Sequence, residues 1–185
     1  MSKSRMVHRG DEARMTAPAR SRIRLVRLSP LDEIEFVAAA RRSRALHQPW
    51  VAPASTPEKF QAYVARMSEP AQHAFTIRRR DNNALIGIIT IANVVMGPFR
   101  SAYTGYYAFA PHAGQGYMRE ALQAIVRYAF RVLKLHRLEA NIQPGNRASI
   151  ALAKSCGFRK EGFSPRYLKI RGRWRDHERW AIVAR

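Results

Sequence analysis

Acid is what this chain has least of. Its 185 residues carry 33 Lys and Arg against 13 Asp and Glu, a net charge of +20 at pH 7. A pocket lined by several carboxylates is hard to build from so few, and the surface favours polyanions, with nucleic acid or the ribosome first among them. A basic surface kept only for solubility is the plainer reading of the same charge. Cysteine is nearly absent as well. The single thiol, Cys156, excludes an intrachain disulfide, and no Cys/His cluster has zinc spacing, so no metal is expected. Long apolar runs are missing. The longest, Ala84 to Gly97, is interrupted by Thr90 and Asn93 and is too short to cross a bilayer. The N-terminus has arginines but no apolar stretch of a secretory signal. These absences predict a reduced, cytoplasmic setting with no membrane partner.

What is present organises into one domain. Residues 1–20 are polar, basic and aperiodic and predict a disordered tail, which leaves 21–185 as the domain. Alternation at Ile23, Leu25, Val26 and Leu28 predicts a first strand. Ser29-Pro30-Leu31-Asp32 opens a helix, with Ser at the N-cap, Pro at N1 and an acid at N3. That helix is expected to reach Leu46 and to bury Leu31, Ile34, Phe36, Val37 and Ala38. Thr56-Pro57-Glu58 opens a second, ending near Met67. Strands are predicted over 74–79, 85–96 and 102–109, with a turn at Asp81-Asn82-Asn83 and a break at Pro98. Leu122, Ile125, Val126, Ala129 and Leu133 follow helical spacing. A strand at 138–142, a short helix at 146–156 closed by Gly157, and strands near 163–170 and 178–183 complete the order. It predicts an α+β (mixed α/β) fold, a central sheet flanked by helices with one parallel βαβ crossover.

That crossover surrounds Gly114-Gln115-Gly116. Two glycines between a strand and a helix leave backbone N–H groups uncovered at a positive helix end, which suits a phosphate. Tyr117-Met118 after Gly116 is not the Lys-Ser/Thr of a P-loop, and Arg119 stands where a dinucleotide fingerprint has its third glycine. The wider arrangement is more specific. The loop runs on as Gly116-Tyr117-Met118-Arg119-Glu120-Ala121-Leu122, then come Asn146-Arg147-Ala148-Ser149 and Gly157-Phe158-Arg159-Lys160-Glu161-Gly162-Phe163. Tyr167-Leu168-Lys169-Ile170 and Gly172-Arg173-Trp174-Arg175-Asp176-His177 complete it.

Together these resemble the GNAT acetyltransferases, and within them the RimJ/RimL-type branch that acetylates the N-terminal alanine of ribosomal proteins. The resemblance covers roughly residues 22–183. It implies the GNAT acyl-CoA N-acyltransferase fold, a mixed, mostly antiparallel sheet flanked by helices, and acetyl-CoA as cofactor. It also implies that Gly114, Gln115, Gly116, Tyr117, Met118 and Arg119 hold the pyrophosphate. Tyr107, Ala108 and Phe109 would pair with the pantetheine arm, and Asn146 and Ser149 would touch it. Ser149 is the implied general acid, or else only a first-turn residue of its helix. The chain departs from the family at Ala113, where Arg or Gln is usual, and at Met118, where Gly or Ala is. Tyr106 and Tyr107 stand where many members carry a glutamate base, so the base is open.

The residues leave further roles to weigh. Tyr167 is a second proton donor or a core tyrosine. Trp50, Tyr106 and Trp174 are candidates for the acceptor site, against a packing role. His47 and His112 could serve as bases, with a surface or capping role the plainer reading. Asp176 and Glu178 could hold an ammonium, or pair internally with Arg173, Arg175 or Arg179. The favoured reading is acetyl transfer, by direct attack in a ternary complex, to the α-amine of a protein N-terminus, that of a ribosomal protein. Contact with rRNA and a monomer or homodimer go with it. A small-molecule amine acetyltransferase and a non-catalytic ribosome- or RNA-binding module remain alternatives.

Overall fold

The computed structural model describes residues 21–184; the predicted tail at 1–20 lies outside the described residues. Seven strands form one sheet in the order β1-β2-β3-β4-β5-β7-β6. They are β1 Ile23–Arg27, β2 His73–Arg79, β3 Leu85–Val95, β4 Ser101–Ala108, β5 Arg137–Ile142, β6 Arg159–Ile170 and β7 Arg173–Val183. The helices are α1 Glu33–Arg42, α2 Arg44–His47, α3 Pro57–Met67, α4 Tyr117–Arg131 and α5 Arg147–Ser155. Every neighbouring pair is antiparallel except β4 and β5, which α4 connects as the expected parallel crossover.

The sheet is covered on both faces. On one, α4 and α5 bury Leu122, Ile125, Leu138 and Trp180. On the other, α1 and α3 bury Phe36, Phe60, Ile88 and Phe109, with Phe36 and Phe60 rings 4.8 Å apart. β3 serves both: Ile86, Ile89 and Ile91 join the first core and Leu85 and Ile88 the second, while β5 turns Leu138, Ala140 and Ile142 to the first core and Arg137, Glu139 and Asn141 away from it.

Two expectations change. The first helix does not bury Leu31 and Ile34, which are 95% and 86% exposed. Its rotation is set by ions. Arg78 of β2 donates to Asp32 Oδ1 at 2.7 Å and to Glu35 Oε2 at 2.8 Å, and Glu35 Oε1 accepts from the Leu85 N–H at 3.1 Å. With the acids turned to the sheet, Phe36, Val37, Ala39 and Ala40 pack inward, Ala38 stays half-buried, and the two aliphatics face out. The helix also breaks at Ser43, whose hydroxyl returns to the Ala39 carbonyl at 2.7 Å, so α2 is a separate turn. The second change is at the C-terminus. β6 and β7 begin earlier than predicted: Arg159–Gly162 at the base of the hairpin and Arg173–His177 at its outer end are polar and mostly exposed, so no apolar alternation marks them.

Candidate active site

β4 and β5 pair over only three residues, Ser101↔Arg137, Ala102↔Leu138 and Tyr103↔Glu139. Beyond Tyr103 the two strands part, and a cleft of about 620 Å³ opens between them. The free edge of β4 follows from the hydrogen-bond alternation. The Phe109 N–H donates to the Ile86 carbonyl at 2.6 Å. Antiparallel ladders alternate, so Tyr107 and Gly105 also pair with β3, and Thr104, Tyr106 and Ala108 turn their backbone groups into the cleft. This makes Tyr106 and the Ala108 N–H edge groups able to pair with an extended ligand, while Phe109 is not: its N–H is used and its ring is fully buried against Phe36.

One end of the cleft is the glycine loop. Gly114 and Gly116 have φ of +78° and +81°, and Gly116 is the N-cap of α4. Among the described residues, no hydrogen bond uses the N–H groups of Gly114, Gln115, Gly116, Tyr117 or Met118. An anion is what such an array accepts. The loop is braced from β1. Arg22 donates to the Gln115 carbonyl at 3.0 Å and to Glu120 Oε1 at 2.6 Å, and its guanidinium lies 4.5 Å from the Tyr117 ring centre. The brace also offsets the Glu120 carboxylate, which would otherwise repel an anion at the helix start. The Gln115 side chain folds back to the Pro111 carbonyl at 2.9 Å and does not line the cleft.

The α5 side carries the Asn-x-x-Ser motif. Asn146 caps the helix by accepting from the Ser149 N–H at 3.1 Å, and the Tyr106 hydroxyl donates to the Ser149 carbonyl at 3.2 Å, tying β4 to α5. Burial raises the Tyr106 pKa. Ser149 lines the cleft and its hydroxyl makes no hydrogen bond among the described residues.

A strap closes the opposite face. His47 Nε2–H donates to the Ala108 carbonyl at 2.8 Å, on one side of the split. Three residues on, the Trp50 carbonyl accepts from Gln143 Nε2 at 3.0 Å, on the other. The Trp50 ring lies against Gly145, where an added Cβ would stand 3.0 Å from Cη2. His47 is not a surface residue; it is 4% exposed, edge-on to Tyr107 and Phe109, and burial lowers its pKa. Burial pushes the Tyr63 hydroxyl up to about 12 and raises that of Tyr107 beside it as well. Thr104 Oγ1 and Asn141 Oδ1 are buried in the cleft wall without partners, as is His47 Nδ1.

The structure brings Trp50, Tyr106, Tyr107, Ala108, Gly114, Gly116, Tyr117, Met118, Arg119, Asn146 and Ser149 to this one cleft. It places Tyr167 and Trp174 elsewhere. Tyr167 sits beside Tyr103, whose hydroxyl it helps push up to about 12, outside the cleft lining. Trp174 pairs with Lys169, stands an odd number of residues from His177 and so on the other face, and is 60% exposed. Glu178 pairs with Lys160 at 2.5 Å, and Asp176 accepts the Arg166 N–H at 2.8 Å, so neither is free for an ammonium and neither takes the partners expected. The sequence motif Gly172–His177 contains His177, but sequence reasoning gave it no role at the site. It lines the cleft from β7, 3% exposed, and only the strand register carries that information.

Residues 22–159 match the acetyltransferase (GNAT) domain family. The probable N-acetyltransferase YjcK of Bacillus subtilis (strain 168) is 36% identical over 121 residues, 65% of this chain and 67% of that protein. The [ribosomal protein uS5]-alanine N-acetyltransferase of Escherichia coli (strain K12) is 43% identical over 103 residues, 56% of this chain and 53% of that one, so the chain spans about half of that relative's length. Among solved structures, Mycobacterium smegmatis RimJ in complex with CoA-disulfide superposes with a TM-score of 0.80 at 28% identity, covering 88% of this chain and 82% of that chain. The cleft fits such a cofactor on its own evidence: a cradle of unused N–H groups for the pyrophosphate, and an unpaired β4 edge for an extended arm. The chain belongs to the GNAT acetyltransferase family and is an acetyl-CoA-dependent N-acetyltransferase.

Proposed function

We propose that the acceptor is the α-amine of a protein N-terminus beginning with Ala or Ser, with a ribosomal protein the specific candidate. The observation that carries this is the composition of the cleft: among the residues lining it there is no Asp or Glu. A polyamine brings several ammonium groups, and removing them from water against neutral walls is costly without counter-charges. A protein N-terminus brings one. Its pKa of about 7.7–8.0 leaves on the order of 10% neutral at pH 7, against roughly 0.04% for a lysine side chain. An N-terminal acceptor therefore needs little help to lose its proton. The uS5-alanine relative, 43% identical over 103 residues, supports the same reading.

Acetyl-CoA, when bound, supplies an acetyl thioester whose sulfur must leave protonated. The glycine-loop amides and the α4 N-terminus hold its pyrophosphate, and the Tyr106 and Ala108 edge groups align its arm. The Ser149 hydroxyl, free on the cleft wall, donates towards the sulfur. The strap from His47 to Trp50 covers the acceptor side and excludes water. The β6–β7 hairpin, with eight Lys and Arg against three acids over 159–183, is the surface offered to rRNA beside such a substrate.

The test is thiol release from acetyl-CoA against peptides beginning with Ala, Ser, Thr and Met, together with spermidine and a set of other small amines. Turnover confined to the Ala- and Ser-initiated peptides is expected. Turnover with spermidine or another small amine alone overturns the acceptor assignment.

A further inference from the structure

With no carboxylate in the cleft lining, the side chains there that can take a proton from an amine at neutral pH are His47, His112 and His177. Their nitrogens are not equivalent. His47 spends Nε2–H on the Ala108 carbonyl, and its Nδ1 is sealed in the wall. His112 belongs to the phosphate end, edge-on to Tyr117, with burial and the charges of Arg79 and Arg42 lowering its pKa. His177 differs from both. Its Nδ1 lies 2.9 Å from the Arg175 carbonyl oxygen. A carbonyl only accepts, so the proton sits on Nδ1 and Nε2 is left as a bare lone pair. Among the described residues Nε2 has no hydrogen-bond partner, and it is not among the sealed polar atoms.

Its position suits the acceptor half of the cleft. Ile142 pairs with Glu178, so His177 lies one step on, beside Gln143, where the strands have parted. Leu168 and Ile170 of β6 line the same cleft with it. The charged and titratable groups around it are Arg175, Asp176 and Arg179 on β7 and Tyr167 on β6, whose ring lies edge-on at 6.1 Å. Asn141 of β5 and Gln143 just past its end, on the side nearest to it, are neutral. Burial outweighs the neighbouring Asp176 and the bond to Arg175, and holds the imidazole pKa below its ordinary value.

We infer that His177 is the general base of acetyl transfer, its Nε2 taking the proton that the acceptor nitrogen loses as the new amide forms. The amine lone pair makes the N–C bond and the C–S bond breaks with its pair going to sulfur. One N–H proton passes to Nε2. The sulfur is protonated through Ser149, which recovers a proton from water, and the imidazolium returns its proton to solvent. The products are an amide and a thiol, so the step balances. The inference rests on the acetyltransferase assignment and on an amine acceptor, not on which amine it is.

The experiment is the pH profile of kcat/KM for the wild-type chain and for His177→Gln and His177→Asn, run with whichever amine the panel above identifies. Acetyl-CoA affinity is measured by calorimetry alongside, to show that the variants keep their fold and cofactor site. Below both the amine and the His177 pKa, the wild-type logarithmic slope is expected to approach 2, because the neutral forms of both groups are required. In the variants the slope falls to 1, set by the amine alone, and kcat falls about 100-fold, the low end of what general base catalysis supplies. Variants that bind acetyl-CoA normally and keep a slope of 2, or keep kcat within threefold of wild type, overturn the assignment. Failure of the peptide panel leaves this test standing, since it changes only the amine used.

Discussion

At Gly116 a single Cβ separates two effects. The residue has φ +81° and an added Cβ would stand 3.2 Å from Arg22 Nη2, so any substitution carries some strain. Asp and Asn share that strain, and both tolerate the left-handed region better than most residues. Only Asp adds an anion where the phosphate is to sit. Gly116→Asp is therefore expected to lose at least tenfold more acetyl-CoA affinity than Gly116→Asn, measured by calorimetry; equal losses would remove the phosphate assignment from this loop. Ser149→Ala isolates the proton donor in the same way. Turnover is expected to drop with acetyl-CoA affinity unchanged, because the capping bond uses the Ser149 N–H and not its hydroxyl. The residues behind these two tests were legible in the sequence because each belongs to a local device: a glycine pair before a helix, an Asn cap three residues before a Ser. His177 was not legible. Nothing within a few residues of it marks a cleft, and its place depends on a register that only the pairing of β5 with β7 establishes.

The first helix shows, at the scale of an element, why hydrophobicity alone misread a face. Leu31 and Ile34 are larger than Ala39 and Ala40, yet the alanines are inside, because Asp32 and Glu35 commit the helix to Arg78. Arg78 and Asp32 side chains are each only 10% exposed. Removing one partner of a buried pair leaves a charge without its counterpart, which costs about 3–5 kcal/mol. Arg78→Ala is expected to lose a substantial part of that range in denaturant unfolding, softened by the half-open Glu35; a loss below about 1 kcal/mol, the size of a surface ion pair, would show that the helix is held by its apolar face after all. The other elements stand closer to what the sequence predicts, β3 and α4 above all: β3 is a β-branched run buried on both faces over Leu85–Ile89, and α4 buries its residues at helical spacing, neither interrupted by paired charges. The sequence under-predicts the β6–β7 hairpin at the start of each strand because Arg159–Gly162 and Arg173–Asp176 bury little, so they have no reason to alternate.

Over the whole molecule, His47, His73, His112 and His177 all have pKa values lowered by burial. The unfolded chain protonates them near pH 6.5, before the folded chain does. Their contribution to stability is therefore complete above about pH 6.5 and declines as pH falls towards their folded values. Thermal melting is expected to move downward between pH 7 and 5.5, before the carboxylates of Asp81 and Glu161, held low by their arginine partners, begin to protonate. A flat profile across that window would mean that the imidazoles ionise in place. The three residue pairs that join β4 to β5 bear on the same property. They are the narrow waist between a four-stranded half and a three-stranded half, bridged also by α4, by the Tyr106–Ser149 bond and by the His47–Trp50 strap. A ligand that pairs with Tyr106 and the Ala108 N–H takes a position the chain itself has left vacant. It is then as much a rung of the sheet as a reactant. At a concentration 100 times its dissociation constant it should add about 2.7 kcal/mol to global stability. Amide exchange at those two residues should slow with it, so the occupied cleft stiffens the sheet where the chain alone leaves it split.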